Sequence, residues 1–198
     1  MTRWGWFAAA YGIMAAVAAA AALFLRDSSP FLHPAPWLTL PGLTSHVYSV
    51  AIGMAFGALV AVATRMMVPR FAWARNLHLE LRPLARGVPF VGIVALAVSS
   101  SLGEELLFRG LLQPWLGLFG QALVFGVVHQ LPGPSRWVWV AWATLVGLAF
   151  GAMFSLTGSL AGPLAAHAVI NTLNLSFLKS HDPLVGRRGL GGLLGQRG

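Results

Sequence analysis

From Trp6 to Leu25 the chain runs for 20 residues without a charged side chain, and runs of this kind recur to its end. In hydrocarbon no water is present to satisfy a backbone N–H or C=O, so such segments must be helices or strands of a closed barrel. Twenty residues of helix cross the roughly 30 Å apolar layer. The runs are continuous rather than alternating, which selects helices. A second span is expected from about Val47 to Val68, rich in Gly and Ala. A third begins near Val88 and continues through Leu118, and a fourth covers Phe119 to Leu131. The fifth is Trp137 to Phe154, opened by Trp137, Trp139 and Trp142 as an interfacial belt would be, and the sixth is Ser159 to Leu178.

Between the first two runs, Pro30, Pro34, Pro36 and Pro41 forbid a continuous helix and predict a loop. Between the second and third, Arg70, Arg75, Arg82 and Arg86 are interleaved with Phe71, Trp73, Leu77, Leu79 and Leu81. That pattern suits a helix lying in the headgroup region. The expected fold is therefore an all-α, polytopic integral membrane bundle of about six transmembrane helices with one further interfacial helix. Its parts are an N-terminal hairpin and basic connector (1–87), a helical core (88–178) and a flexible Gly/Arg-rich tail (179–198). The first run exceeds a signal peptide's apolar region and lacks a clear cleavage site, so it reads as an uncleaved helix. Only 9% of residues are charged, against roughly a quarter in soluble domains.

The net charge of +8 raises the question of a nucleic-acid partner, but the arginines lie between apolar runs rather than on one face, so none is expected. They fit topology instead. With the N-terminus inside, eleven basic residues fall on inner segments and only Arg26 on an outer one, which predicts both termini in the cytoplasm. The lipid bilayer is the partner this composition implies. With no cysteine, thiol catalysis and Cys-ligated zinc are excluded.

Within this apolar sequence stands Glu104-Glu105-Leu106-Leu107-Phe108-Arg109, holding two of the chain's five acidic residues. Ionisable groups at bilayer depth are costly and mark functional sites. On a helix Glu105 stacks beneath Arg109, four residues on, and the Glu-before-Arg order favours the pair. Glu104, about 100° away, is left free for general-base chemistry. Phe125-x-x-x-His129 and His167-x-x-x-Asn171 repeat the four-residue spacing and hold the two histidines that lie inside apolar runs. His129 can share activation of a water with Glu104, while His167 and Asn171 can donate to an oxyanion. Alternatively Glu104, His129 and His167 form a His2Glu set of the kind that binds catalytic zinc. Phe125 reads most simply as packing.

At these residues the sequence resembles the CPBP family, the CAAX-protease and bacteriocin-processing intramembrane proteases also called Abi proteins. Its Glu-Glu-x-x-x-Arg, Phe-x-x-x-His and His-x-x-x-Asn motifs are matched in order by Glu104–Arg109, Phe125–His129 and His167–Asn171, with Gly110 and Pro163 also in keeping. The resemblance covers roughly residues 99–178. It implies an intramembrane endopeptidase that hydrolyses a peptide bond of a membrane-associated protein or peptide. Glu104 and His129 would activate water, His167 and Asn171 would stabilise the intermediate, and Glu105, Arg109 and Phe125 would support the site. Both metal-dependent and metal-free glutamate mechanisms are held for the family; no cofactor is favoured here, with zinc the alternative. The Ala- and Arg-rich, Lys-poor composition points to a GC-rich bacterium, hence its inner membrane and a substrate other than a prenylated CAAX tail. A non-catalytic bacteriocin-immunity or peptide-binding protein using the same polar cavity is the alternative from another class. A transporter fits less well, because no inverted repeat is visible.

Dead reckoning along straight helices leaves Glu104 in the outer half of the membrane and His129 near the inner end of its run. A bend is therefore expected near Ser99 to Gly103.

Overall fold

The computed structural model describes residues 2–184. Of the tail expected over 179–198, the part from 185 onward lies outside them. Among the described residues, seven helices form in chain order: α1 (Arg3–Arg26), α2 (Gly42–Arg70), α3 (Ala72–Ala85), α4 (Phe90–Glu105), α5 (Gln113–Val128), α6 (Arg136–Thr157) and α7 (Ala161–Ser180), with a π-helical turn (Leu106–Leu112) joining α4 to α5. Among the described residues no strand forms, and the single bridge pairs Leu32 with Ser159. The chain is an all-α membrane helical bundle.

Among the described residues, four stretches are long and apolar enough to cross a membrane: α1, α2, the run Phe90–Val128 and α6. That is fewer than the six spans expected. The third and fourth apolar runs are one 39-residue succession of helical turns, broken at Gly117, whose φ of 68° and ψ of 178° lie outside the helical region. A side chain there would be strained, and glycine is not. Twenty-five residues of straight helix would hold Glu104 and His129 about 37 Å apart; instead they touch, so the chain reverses at Gly117 into a hairpin. The sixth expected span is α7, a 20-residue helix made less apolar by His167, Asn171, Asn174 and Lys179.

The expected bend near Ser99 to Gly103 is not there. α4 is regular through Glu105, and the distortion follows it as the π-helical turn. Pro114 supplies a cause. Lacking an N–H, it cannot donate to the Gly110 carbonyl one turn back. That carbonyl accepts from the Arg26 guanidinium instead, which fastens the end of α1 to the turn.

Polarity runs inside out compared with a soluble protein. Phe24 is 88% exposed and Phe119 71%, facing where lipid would be, whereas Glu105, Arg109 and Gln121 are fully buried. α2 and α7 approach through small residues at four-residue spacing, as membrane helices do. A Cβ on Gly53 would collide with the Gly162 backbone, and one on Gly57 would come within 2.9 Å of the Ala166 carbonyl. Ser49 seals this seam, its Oγ donating to the Ser159 carbonyl (2.9 Å) and accepting from Gly162 N–H (2.9 Å).

The basic connector is α3, as its pattern predicts. It buries Ala74, Leu77 and His78, and two side chains hold its C-terminal half. Glu80 accepts from Ser135 Oγ at 2.7 Å, at the start of α6, and Arg82 pairs with Asp182 at 3.1 Å beyond α7.

Candidate active site

Three elements meet around Glu104: the end of α4, the end of α5 and the middle of α7. The reversal at Gly117 sets the depth. Glu104 lies thirteen residues before it and His129 twelve after, so the two limbs bring both side chains to one level. The short return limb explains why dead reckoning failed, since α5 stops at Val128, well inside the bundle.

His129 follows the last helical residue of α5. Its Nδ1 lies 2.7 Å from the Phe125 carbonyl, an acceptor left without a partner by the end of the helix. Nδ1 must therefore carry the proton, which leaves Nε2 turned to Glu104 Oε2 at 3.3 Å. His167 is fixed by the same logic from α7. Its Nδ1 donates to Glu105 Oε1 at 2.8 Å, and its Nε2 lies 3.8 Å from Glu104 Oε2. Both imidazoles present Nε2 to one carboxylate, and in their neutral forms neither has a proton there to give it.

Glu105 is the hinge of this arrangement. Its Oε1 accepts from Arg109 Nη1 at 2.9 Å across one helical turn, the pair that spacing predicts, and the same oxygen holds His167. Arg109 donates onward from Nη2 to the Gly147 carbonyl of α6 at 3.0 Å. Its guanidinium carbon lies 4.4 Å from the centroid of the Phe125 ring, so the aromatic face covers a buried cation. Phe125 also contacts the His129 ring, with centroids 4.2 Å apart. Asn171, one turn beyond His167, donates from Nδ2 to Ser100 Oγ on α4 at 3.1 Å. All seven residues singled out by the sequence are thus brought together: Glu104, His129, His167 and Asn171 border one cavity of about 440 Å³ with Phe125, while Glu105 and Arg109 lie buried behind it.

Sequence reasoning missed several participants. Gln113 reaches α6, donating to the Gly151 carbonyl and Ser155 Oγ, both at 2.9 Å, and Gln121 donates to the Gly147 carbonyl at 3.1 Å. Their signal was an amide inside an apolar run. Tyr11 of α1 reaches the cavity beside Glu104; a lone tyrosine among alanines carries no motif. The cavity itself is walled largely by apolar side chains of α2, α3 and α7, among them Val68, Leu77 and Leu178.

Residues 86–173 match the family described as Type II CAAX prenyl endopeptidase Rce1-like. The uncharacterized protein YpbD of Bacillus subtilis (strain 168) is 32% identical over 88 residues, which make up 44% of this chain and 45% of YpbD, so the likeness spans a little under half of either protein. No solved structure matches the chain. The matched stretch, a little under half of the chain, contains all three polar motifs, so the likeness to the CAAX endopeptidase family falls on the residues of this site.

Proposed function

We propose that this protein is an intramembrane endopeptidase that hydrolyses a peptide bond of a membrane-associated protein or peptide. The observation that carries the reading is the convergence of the two Nε2 atoms on Glu104 Oε2, at 3.3 and 3.8 Å, in a buried cavity. A water entering between Glu104 and His129 finds two acceptors, which orient its lone pair toward a substrate carbonyl. As the O–C bond forms, the water proton passes to Glu104 and is shared with His129. His167, with Nδ1 held by Glu105, carries an Nε2–H when protonated and donates it to the oxyanion, and Asn171 stands one turn further along the same helix face. When the C–N bond breaks, the proton held by Glu104 and His129 goes to the leaving amine.

Glu104, His129 and His167 are the donors that zinc would require. No step above passes through a metal ion. We propose a metal-free reaction on the chemistry of the pair. Stoichiometric zinc in the purified protein, with turnover lost in chelator, overturns that part. The orientation with both termini cytoplasmic in a bacterial inner membrane belongs to the same proposal.

The test compares the membrane proteome of a deletion strain with that of a Glu104→Gln strain, followed by cleavage of the accumulated proteins by purified enzyme. Glu104→Gln should insert normally and lose at least about a hundredfold in turnover. Full processing by that variant rejects the reading. Ligand protection that survives loss of both Glu104 and His129 supports a peptide-binding protein instead.

A further inference from the structure

The family match begins at residue 86, yet one polar group at the cavity comes from α1. Tyr11 borders the same cavity as Glu104, and its hydroxyl interacts with the Glu104 carboxylate. The approach is built into the backbone. Gly103, the residue before Glu104, packs against α1 so closely that a Cβ there would stand 2.8 Å from the Tyr11 carbonyl and 3.4 Å from its ring. The acid also has use for such a donor. Glu104 Oε2 is buried without a hydrogen-bond partner, and in their neutral forms His129 and His167 would offer it only lone pairs, because each has its proton on Nδ1. A carboxylate flanked by two acceptors has nothing to hold its plane against rotation. A phenol can, because it donates one hydrogen bond and remains protonated at neutral pH.

We infer that Tyr11 is a positioning residue for the catalytic carboxylate, its O–H donating to Glu104 and holding the oxygens toward the water that the acid and His129 activate. The inference rests on the endopeptidase reading of Glu104. It adds α1, outside the matched family segment, to the catalytic machinery. Gly103 acquires a reason as well, since any larger residue there would push the phenol away from the acid.

Tyr11→Phe keeps the ring against Gly103 and removes only the donor. Losing one hydrogen bond to a charged group should cost about ten- to a hundredfold in kcat, with KM and thermal stability unchanged and the pH–rate profile displaced. A merely structural tyrosine would lower stability and leave the profile in place. The chain has only two tyrosines, Tyr11 and Tyr48, so 3-fluorotyrosine labelling gives a readout independent of substrate. With Tyr48→Phe identifying the resonances, Glu104→Gln should shift the fluorine signal of Tyr11 and leave that of Tyr48 in place. An unmoved Tyr11 signal, or wild-type kcat in Tyr11→Phe when Glu104→Gln is inactive, overturns the inference and leaves the endopeptidase reading standing. Activity in Glu104→Gln instead rejects that reading itself.

Discussion

Glu105 has the most demanding position of any side chain here. It is wholly buried and accepts from both Arg109 and His167 through one oxygen. Removing one member of a buried ion pair strands the other, at a cost of about 3–5 kcal/mol. Glu105→Gln and Arg109→Gln should each unfold at clearly lower temperature in detergent, whereas Glu104→Gln should not. A double-mutant cycle should return part of the loss, because the two costs share one partner. The division of labour between the adjacent glutamates was legible, since helical spacing alone puts Arg109 over Glu105 and frees Glu104. The link from His167 to Glu105 was not. It joins residues 62 apart, and spacing says nothing about which of two neighbouring carboxylates a distant helix will meet. The Ser100 partner of Asn171 was hidden for the same reason, although the serine stood in plain view beside the acidic pair.

The hairpin of α4 and α5 shows what a sequence of apolar runs conceals. Pro114 was visible as an interruption, but it marks a distortion only because Arg26, 84 residues away, supplies the missing donor to Gly110. A wide turn of this type has no residue pattern of its own and is often found at functional sites. Gly117 lay unnoticed between apolar neighbours, so the reversal was drawn as a boundary between two full spans. α3, in contrast, was readable throughout, because its alternation of arginine and apolar residues is local. Its inner anchor yields a pH prediction. His78 is buried, accepts the ring edge of Phe177 and hydrogen-bonds the His181 carbonyl at 3.0 Å; burial, with Arg82 and His181 nearby, pushes it below the usual histidine range despite Asp182. Below about pH 6.5 the unfolded chain then binds a proton that the folded chain refuses, so stability falls with acidification. His33, in the loop after α1, is pushed down by burial as well and adds the same sign. Melting temperature measured from pH 8 to 5 should therefore fall less steeply in His78→Phe than in the wild type.

Over the whole molecule, the bundle places its charged residues at two kinds of location, the buried site and the ends of the apolar runs. The absence of cysteine makes the proposed orientation directly testable. In intact spheroplasts a membrane-impermeant maleimide should label Ser28→Cys, in the loop after α1, and spare Arg75→Cys on α3 until the membrane is opened. The reverse pattern would invert the topology while leaving the catalytic geometry untouched. Composition and motif order were enough to identify a membrane bundle and its polar centre. They could not show that α1 and α3 close over that centre, because nothing local in either helix says what it packs against. The order of the chain also bears on how such a site is assembled. Glu105 and Arg109 share one turn of helix, so their limb enters the bilayer with its charges already matched. His129 arrives only after the chain has doubled back, and His167 comes on a later helix still, α7. A nascent chain therefore has no complete polar site while α1 to α6 are being threaded into the membrane among other unfinished proteins, and gains one only when α7 joins them.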